Sequence, residues 1–176
     1  MFEKKNILGV DITSAKKEEV LEFIIRSLEK REEKYFITTP NPEILILAYG
    51  DSKYENVLNK AKIALADGIG VVLASKWLGK PLKERITGTD LLENLCRDIA
   101  EKPITVGFLG GGPKIAERTA DCLREKYPGL KVSFVGEEWP KDNLDGRKSK
   151  MEDSNLKIED RRLRIDFRFS IFHSQS

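Results

Sequence analysis

Histidine is almost missing from this chain of 176 residues, and the single one, His173, lies close to the carboxyl end. A Ser-His-Asp triad or a histidine-based metal site therefore has no home. Two cysteines, Cys96 and Cys122, are too few for a disulfide scaffold or a four-ligand zinc site. No apolar run approaches the roughly 18 residues that a membrane span needs. Met1-Phe2-Glu3-Lys4-Lys5 leads into no signal-peptide core, so a reducing cytoplasm is the expected compartment. Charge of one sign is also lacking: 31 Lys and Arg against 29 Asp and Glu leave a net +2, with no large field for nucleic acid. What remains, 40% hydrophobic and 34% charged residues, is a globular composition of one-domain length.

Apolar spacing predicts strands and helices in alternation. Ile7-Leu8-Gly9-Val10 with Asp11-Ile12 reads as an edge strand or hairpin arm. From about Ser14 to Arg31, Val20, Leu21, Ile24, Ile25 and Leu28 form one stripe at helical period. Tyr35–Thr39 is a β-rich run stopped by Pro40, and Asn41-Pro42-Glu43 has the Asn cap and first-turn Pro of a helix start. That helix should end at Gly50, with Asp51 or Ser52 capping the next. Lys62–Ala66 predicts a short strand, Val71–Trp77 a helix closed by Gly79 and Pro81, and Asp90-Leu-Leu-Glu93 a looser capping box opening another helix. Ile104–Leu109 predicts a buried strand, Ile115–Leu123 a helix, and Lys131–Val135 a last strand. Such alternation implies βαβ units and an α/β fold with a parallel sheet covered on both faces.

The composition changes near Lys141. Residues 142–176 hold 8 Lys and Arg and 7 Asp and Glu, without Ala, Val, Thr or Pro. This tail fits a solvated, disordered segment. It also fits one strand, since Leu163, Ile165, Phe167, Phe169 and Ile171 alternate with polar residues. Arg161, Arg162, Arg164 and Arg168 interleave with Phe167 and Phe169, but the acidic residues dilute them and nucleic acid is not an expected partner.

Three segments at predicted strand ends are candidates for chemistry, because open α/β sheets bind ligands there. In Thr38-Thr39-Pro40-Asn41-Pro42, Thr39 and Asn41 offer a hydroxyl and an amide, although strand end plus helix cap explains the same residues. In Ala66-Asp67-Gly68-Ile69-Gly70, Asp67 is either a plain cap or a carboxylate at a site mouth, flanked by glycines that let a ligand approach. Such a carboxylate suits a general base toward an alcohol. Gly107-Phe-Leu-Gly110-Gly111-Gly112 runs a strand into a glycine turn and a helix. It lacks the last glycine of a dinucleotide fingerprint, Ile115 holding that place, but suits a diphosphate meeting helix amides. A tight turn accounts for it equally. Within Lys83–Asp90, Arg85 is either a solvated loop residue or a phosphate clamp. No Asp-x-Asp occurs, so a metal-bridged sugar nucleotide is not signalled. Cys96 and Cys122, on two predicted helices, should pack as small apolar groups.

Taken in order, Thr39-Pro-Asn-Pro-Glu43, Ala66-Asp-Gly-Ile-Gly70, Glu84-Arg-Ile-Thr-Gly-Thr-Asp90 and Phe108-Leu-Gly-Gly-Gly112 resemble the WecG/TagA/CpsF glycosyltransferase family over roughly residues 5 to 140. The resemblance implies a Rossmann-like α/β domain over residues 1–141. It also implies inverting, metal-independent transfer of an N-acetylmannosamine-type sugar from a UDP donor. The acceptor would be polyprenyl-diphosphate-linked N-acetylglucosamine at the inner face of the plasma membrane, and the product would feed a surface polymer such as wall teichoic acid. By position, Asp67 would be the base, and Thr39 and Asn41 would line the sugar pocket. Arg85 would help neutralise a diphosphate, Gly68 would flank the site, and Gly110, Gly111 and Gly112 would approach the nucleotide. No cofactor is implied, and self-association into a homo-oligomer is left open. The family's next βα unit, with its Gly-Ala-Pro-Lys-Gln-Glu-type segment, and its basic appendage are not found. The expectation is a truncated or frame-shifted product with an incomplete sheet, whose activity is impaired or reduced to binding a nucleotide sugar or a partner.

Overall fold

The computed structural model describes residues 2–30 and 34–136. Expectations about Arg31 and the tail from Asp142 fall outside them. The chain opens with an antiparallel hairpin, β1 (Glu3–Ile7) and β2 (Val10–Ser14), turning at Leu8 and Gly9 with positive φ at both. The predicted amphipathic helix follows as α1 (Lys17–Lys30), with Val20, Leu21 and Ile24 buried. Next come β3 (Ile37–Thr38), α2 (Pro42–Gly50), α3 (Ser52–Asn59), β4 (Ile63–Ala64) and α4 (Ile69–Trp77). The last described elements are α5 (Gly88–Ile99), β5 (Thr105–Leu109), α6 (Ile115–Lys126) and β6 (Lys131–Gly136).

Element order is α/β as expected. β3 pairs parallel with β4, and β5 with β6. The described strands form three two-stranded sheets, the hairpin included. The two-residue strands β3 and β4 are shorter than the runs that predicted them, because Pro40 breaks one and Asp67-Gly68 the other. Hydrogen bonding nevertheless continues past them: Leu65 N–H donates to Thr38 O at 2.8 Å, and Asp67 N–H to Pro40 O at 3.0 Å.

β4 is the axis of the packing. Side chains alternate along β4 and the two residues after it, with Ile63 and Leu65 in one apolar cluster and Ala64 and Ala66 in another. The first cluster gathers α1, α5, β5 and α6; the second gathers the hairpin, α2, α3 and α4. A strand buried on both faces is the arrangement of a parallel sheet. The other flank of β4 is also engaged: Ala64 N–H donates to Thr13 Oγ1 at 3.1 Å, and Ala66 O accepts from Ile86 N–H at 3.2 Å.

Two local expectations are corrected. α5 begins at Gly88, two residues before the predicted Asp90–Glu93 box, because Thr87 Oγ1 caps it by accepting from Asp90 N–H at 3.1 Å. Ser/Thr-x-x-acidic spacing is already present at Thr87–Asp90, and the hydroxyl outcompetes the carboxylate as cap. Cys96 is fully buried as expected, whereas Cys122 on α6 is exposed, since it faces away from Ala116, Ala120 and Leu123.

Candidate active site at the carboxyl end of β4

The backbone leaving β4 is fixed on both sides before it reaches Asp67. Asp67 N–H is held by Pro40 O, and the carbonyl just before it, of Ala66, is held by Ile86 N–H. Gly68 then turns the chain at φ +104°, a conformation L side chains rarely adopt, and caps α4. The result is a half-buried Asp67 whose Oδ2 accepts from Gly88 N–H, the first amide of α5, at the long distance of 3.5 Å. The carboxylate therefore sits against a helix start, not in bulk solvent.

Two more helix starts converge here. Asn41 caps α2, its Oδ1 accepting from Ile44 N–H at 2.9 Å, which leaves its amide donors unused by the cap. The following Pro42 lies against the beginning of α4: a Cβ built on Gly68 would be 3.6 Å from its Cδ, and one on Gly70 only 2.7 Å from its Cγ. Gly70 is therefore required by this close approach, and Gly68 by its backbone angle. Among the described residues no side chain caps α4, which leaves its first turn without a side-chain acceptor. Thr39, half-buried, stands between Thr38 and Pro40 on the neighbouring strand end.

The structure thus brings Thr39, Asn41, Asp67 and Gly68 into one neighbourhood. Arg85 is exposed and unpaired among the described residues, projecting outward beside the buried Ile86. The glycine turn is a separate construction. Gly110, Gly111 and Gly112 all have positive φ, and Gly111 approaches Ile115, whose Cγ2 would lie 2.8 Å from an added Cβ. The turn delivers the chain into α6, which also lacks a side-chain cap. Among the described residues no hydrogen bond joins this turn to the Asp67 group. Nor do three or more His, Cys, Asp or Glu side chains gather there as a metal cluster.

Sequence reasoning missed four contributors. Gly88 supplies the amide facing Asp67. Thr87, whose capping spacing was readable, anchors that amide's helix. Glu84 Oε2 accepts from Lys17 N–H at 2.9 Å and so caps α1 from 67 positions away, a contact no local pattern signals. Thr38 has a buried hydroxyl with no hydrogen-bond partner among the described residues, beside the candidate Thr39.

Comparison with protein families places the chain among the glycosyl transferases. The model of the glycosyl transferase WecG/TagA/CpsF family matches residues 5–152, and the chain belongs to that family. The match runs past Lys141, where the resemblance read from the sequence stops. A relative from Bacillus spizizenii is 38% identical over 107 residues, covering 61% of this chain and 42% of the relative. One from Staphylococcus aureus is 32% identical over 128 residues, covering 72% of this chain and 50% of the relative. Both are named N-acetylglucosaminyldiphosphoundecaprenol N-acetyl-beta-D-mannosaminyltransferase. The chain spans about half the length, or less, of these relatives. No described helix is long and apolar enough to cross a membrane.

Proposed function

We propose that this chain carries the catalytic carboxylate of a hexosyltransferase. It would move N-acetylmannosamine, or a related sugar, from a UDP donor to polyprenyl-diphosphate-linked N-acetylglucosamine for a cell-surface polymer. The observation that carries the reading is Asp67: a carboxylate at a parallel strand end, beside positive-φ Gly68, where the first turns of α2, α4 and α5 converge. Family membership and the names of the relatives support the transferred sugar and the lipid-linked acceptor.

In this mechanism Asp67 takes the proton from the acceptor hydroxyl as its oxygen attacks the anomeric carbon. The carbon–oxygen bond to the diphosphate breaks on the opposite face, UDP leaves with the bonding pair, and the anomeric centre inverts. Thr39 and the free amide of Asn41 orient the sugar. The exposed Arg85, unpaired among the described residues, balances charge on a diphosphate, and helix first-turn amides suit the same anion. The Gly110–Gly112 turn approaches the nucleotide, with β3–β4 and β5–β6 as parts of one Rossmann-like sheet.

Asp67→Asn tests the assignment. With UDP-N-acetylmannosamine and a lipid-diphosphate acceptor, the variant should release UDP roughly 10²–10⁴-fold more slowly than the parent chain. Equal rates remove Asp67 from the mechanism. The exposed Arg85 and the uncapped first turns of α4 and α6 also suit a second reading, a domain that binds a nucleotide sugar or a partner without turnover. Calorimetric UDP binding with no transfer would support that reading.

A further inference from the structure

A helix on a protein surface ordinarily turns its apolar stripe inward and its polar face outward. α2 and α4 do not. On α4, Val71 and Ser75 are buried, yet Ile69, Leu73 and Trp77, spaced four apart on the opposite side, are 60%, 56% and 97% exposed. On α2, Leu45 and Ala48 face the core while Ile46, Leu47 and Tyr49 are 66%, 57% and 72% exposed. The two helices touch at Pro42 and Gly70 and cover the same apolar cluster. Exposed apolar surface of this extent marks an interaction site.

We propose that the outward faces of α2 and α4 dock on an anionic lipid bilayer, a reading that rests on the lipid-linked acceptor of the proposed function. Three observations favour a bilayer over a protein partner. Tyr49 and Trp77 lie in the last turns of the two helices, and such amphipathic rings sit at headgroup level in membrane interfaces. From Ile69 to Arg85 the chain carries Lys76, Lys80, Lys83 and Arg85; Lys83 pairs with Glu19 at 3.7 Å, and the segment's one acid, Glu84, is occupied by Lys17 N–H, which leaves Lys76, Lys80 and Arg85 without an ion-pair partner among the described residues. Apolar surface flanked by cations is the pattern of interfacial helices. A second copy packed symmetrically on this face would set those three cations against their own images. Finally, Ile69 follows Asp67 by two residues, so docking brings the carboxylate to the level of a diphosphate headgroup.

The test is flotation of the full chain with vesicles of phosphatidylglycerol or of phosphatidylcholine. The chain should float with the first and bind the second more weakly. Leu73→Glu and Trp77→Glu, both at exposed positions, should each lower partitioning roughly tenfold or more. Lys76→Glu should weaken binding to the anionic vesicles alone. UDP binding should stay unchanged in all three. Failure to bind phosphatidylglycerol vesicles, or equal binding by Leu73→Glu, overturns the proposal. A dimer that Leu73→Glu dissociates, without vesicle binding, assigns the face to a second copy and also overturns it. Flotation needs neither donor nor acceptor, so loss of transfer with intact flotation counts against the glycosyltransferase reading alone.

Discussion

Gly70→Ala probes how tightly the site is assembled, because two opposing effects meet at one atom. Gly70 lies in the first turn of α4 without a positive φ, so alanine would ordinarily gain about 0.5–1 kcal/mol there. Its Cβ, however, would stand 2.7 Å from Pro42 Cγ, well inside the ~3.5 Å of an ordinary carbon contact. A proline ring cannot swing aside as a flexible side chain does. Overpacking of this kind costs about 1–3 kcal/mol, so the net loss should be about 1–2 kcal/mol. In thermal unfolding followed by circular dichroism, that corresponds to a Tm lower by roughly 2–8 °C for a chain of this size. Gly50→Ala is the control: no described atom lies within 4 Å of its added Cβ, and stability should hold or rise. Combining Gly70→Ala with Pro42→Ala should recover part of the loss, with a coupling of about 0.5–3 kcal/mol. A Gly70→Ala protein as stable as the parent, or strict additivity with Pro42→Ala, would refute the claim that α2 and α4 are locked together beside Asp67.

Two further predictions concern the surrounding framework. Thr87→Ala removes the cap of α5 and should cost about 1 kcal/mol in urea unfolding, with Thr87→Ser restoring most of it; an unchanged midpoint would mean that Gly88 is held by something else. Burial pushes the Cys96 thiol up to about 11, so in the native state Ellman's reagent at neutral pH should titrate one thiol, Cys122, and reach the second only after unfolding. A folded value above the ordinary 9.0 also means that stability is full below pH 9 and falls as pH rises toward about 11, a slope that Cys96→Ala should reduce.

Much of the architecture was legible because it depends on local chemistry. Asn41-Pro42 predicted one helix start and Asp51 or Ser52 the next; Asn41 and Asp51 are the caps, and both side chains accept from first-turn amides. The stripe on α1 and the strand before Gly110 were equally plain, because period and glycine chemistry are written in neighbouring residues. Long-range closures were not legible. Glu84 capping α1, Gly88 facing Asp67 and Pro42 pressing on Gly70 depend on where distant segments meet. The exposed stripes of α2 and α4 were hidden for a related reason: the sequence shows apolar helices, and only packing shows that half of each is left outside.

The hydroxyl of Thr13 has a consequence beyond holding the hairpin in place. A short parallel strand with a free margin is a template on which foreign backbone can zip and aggregate. On β4 that margin is closed: Thr13 Oγ1 occupies the Ala64 donor and Ile86 N–H the Ala66 acceptor. Neither a second molecule nor another stretch of this chain can add a strand there, so lateral growth of the β3–β4 pair is possible only alongside β3.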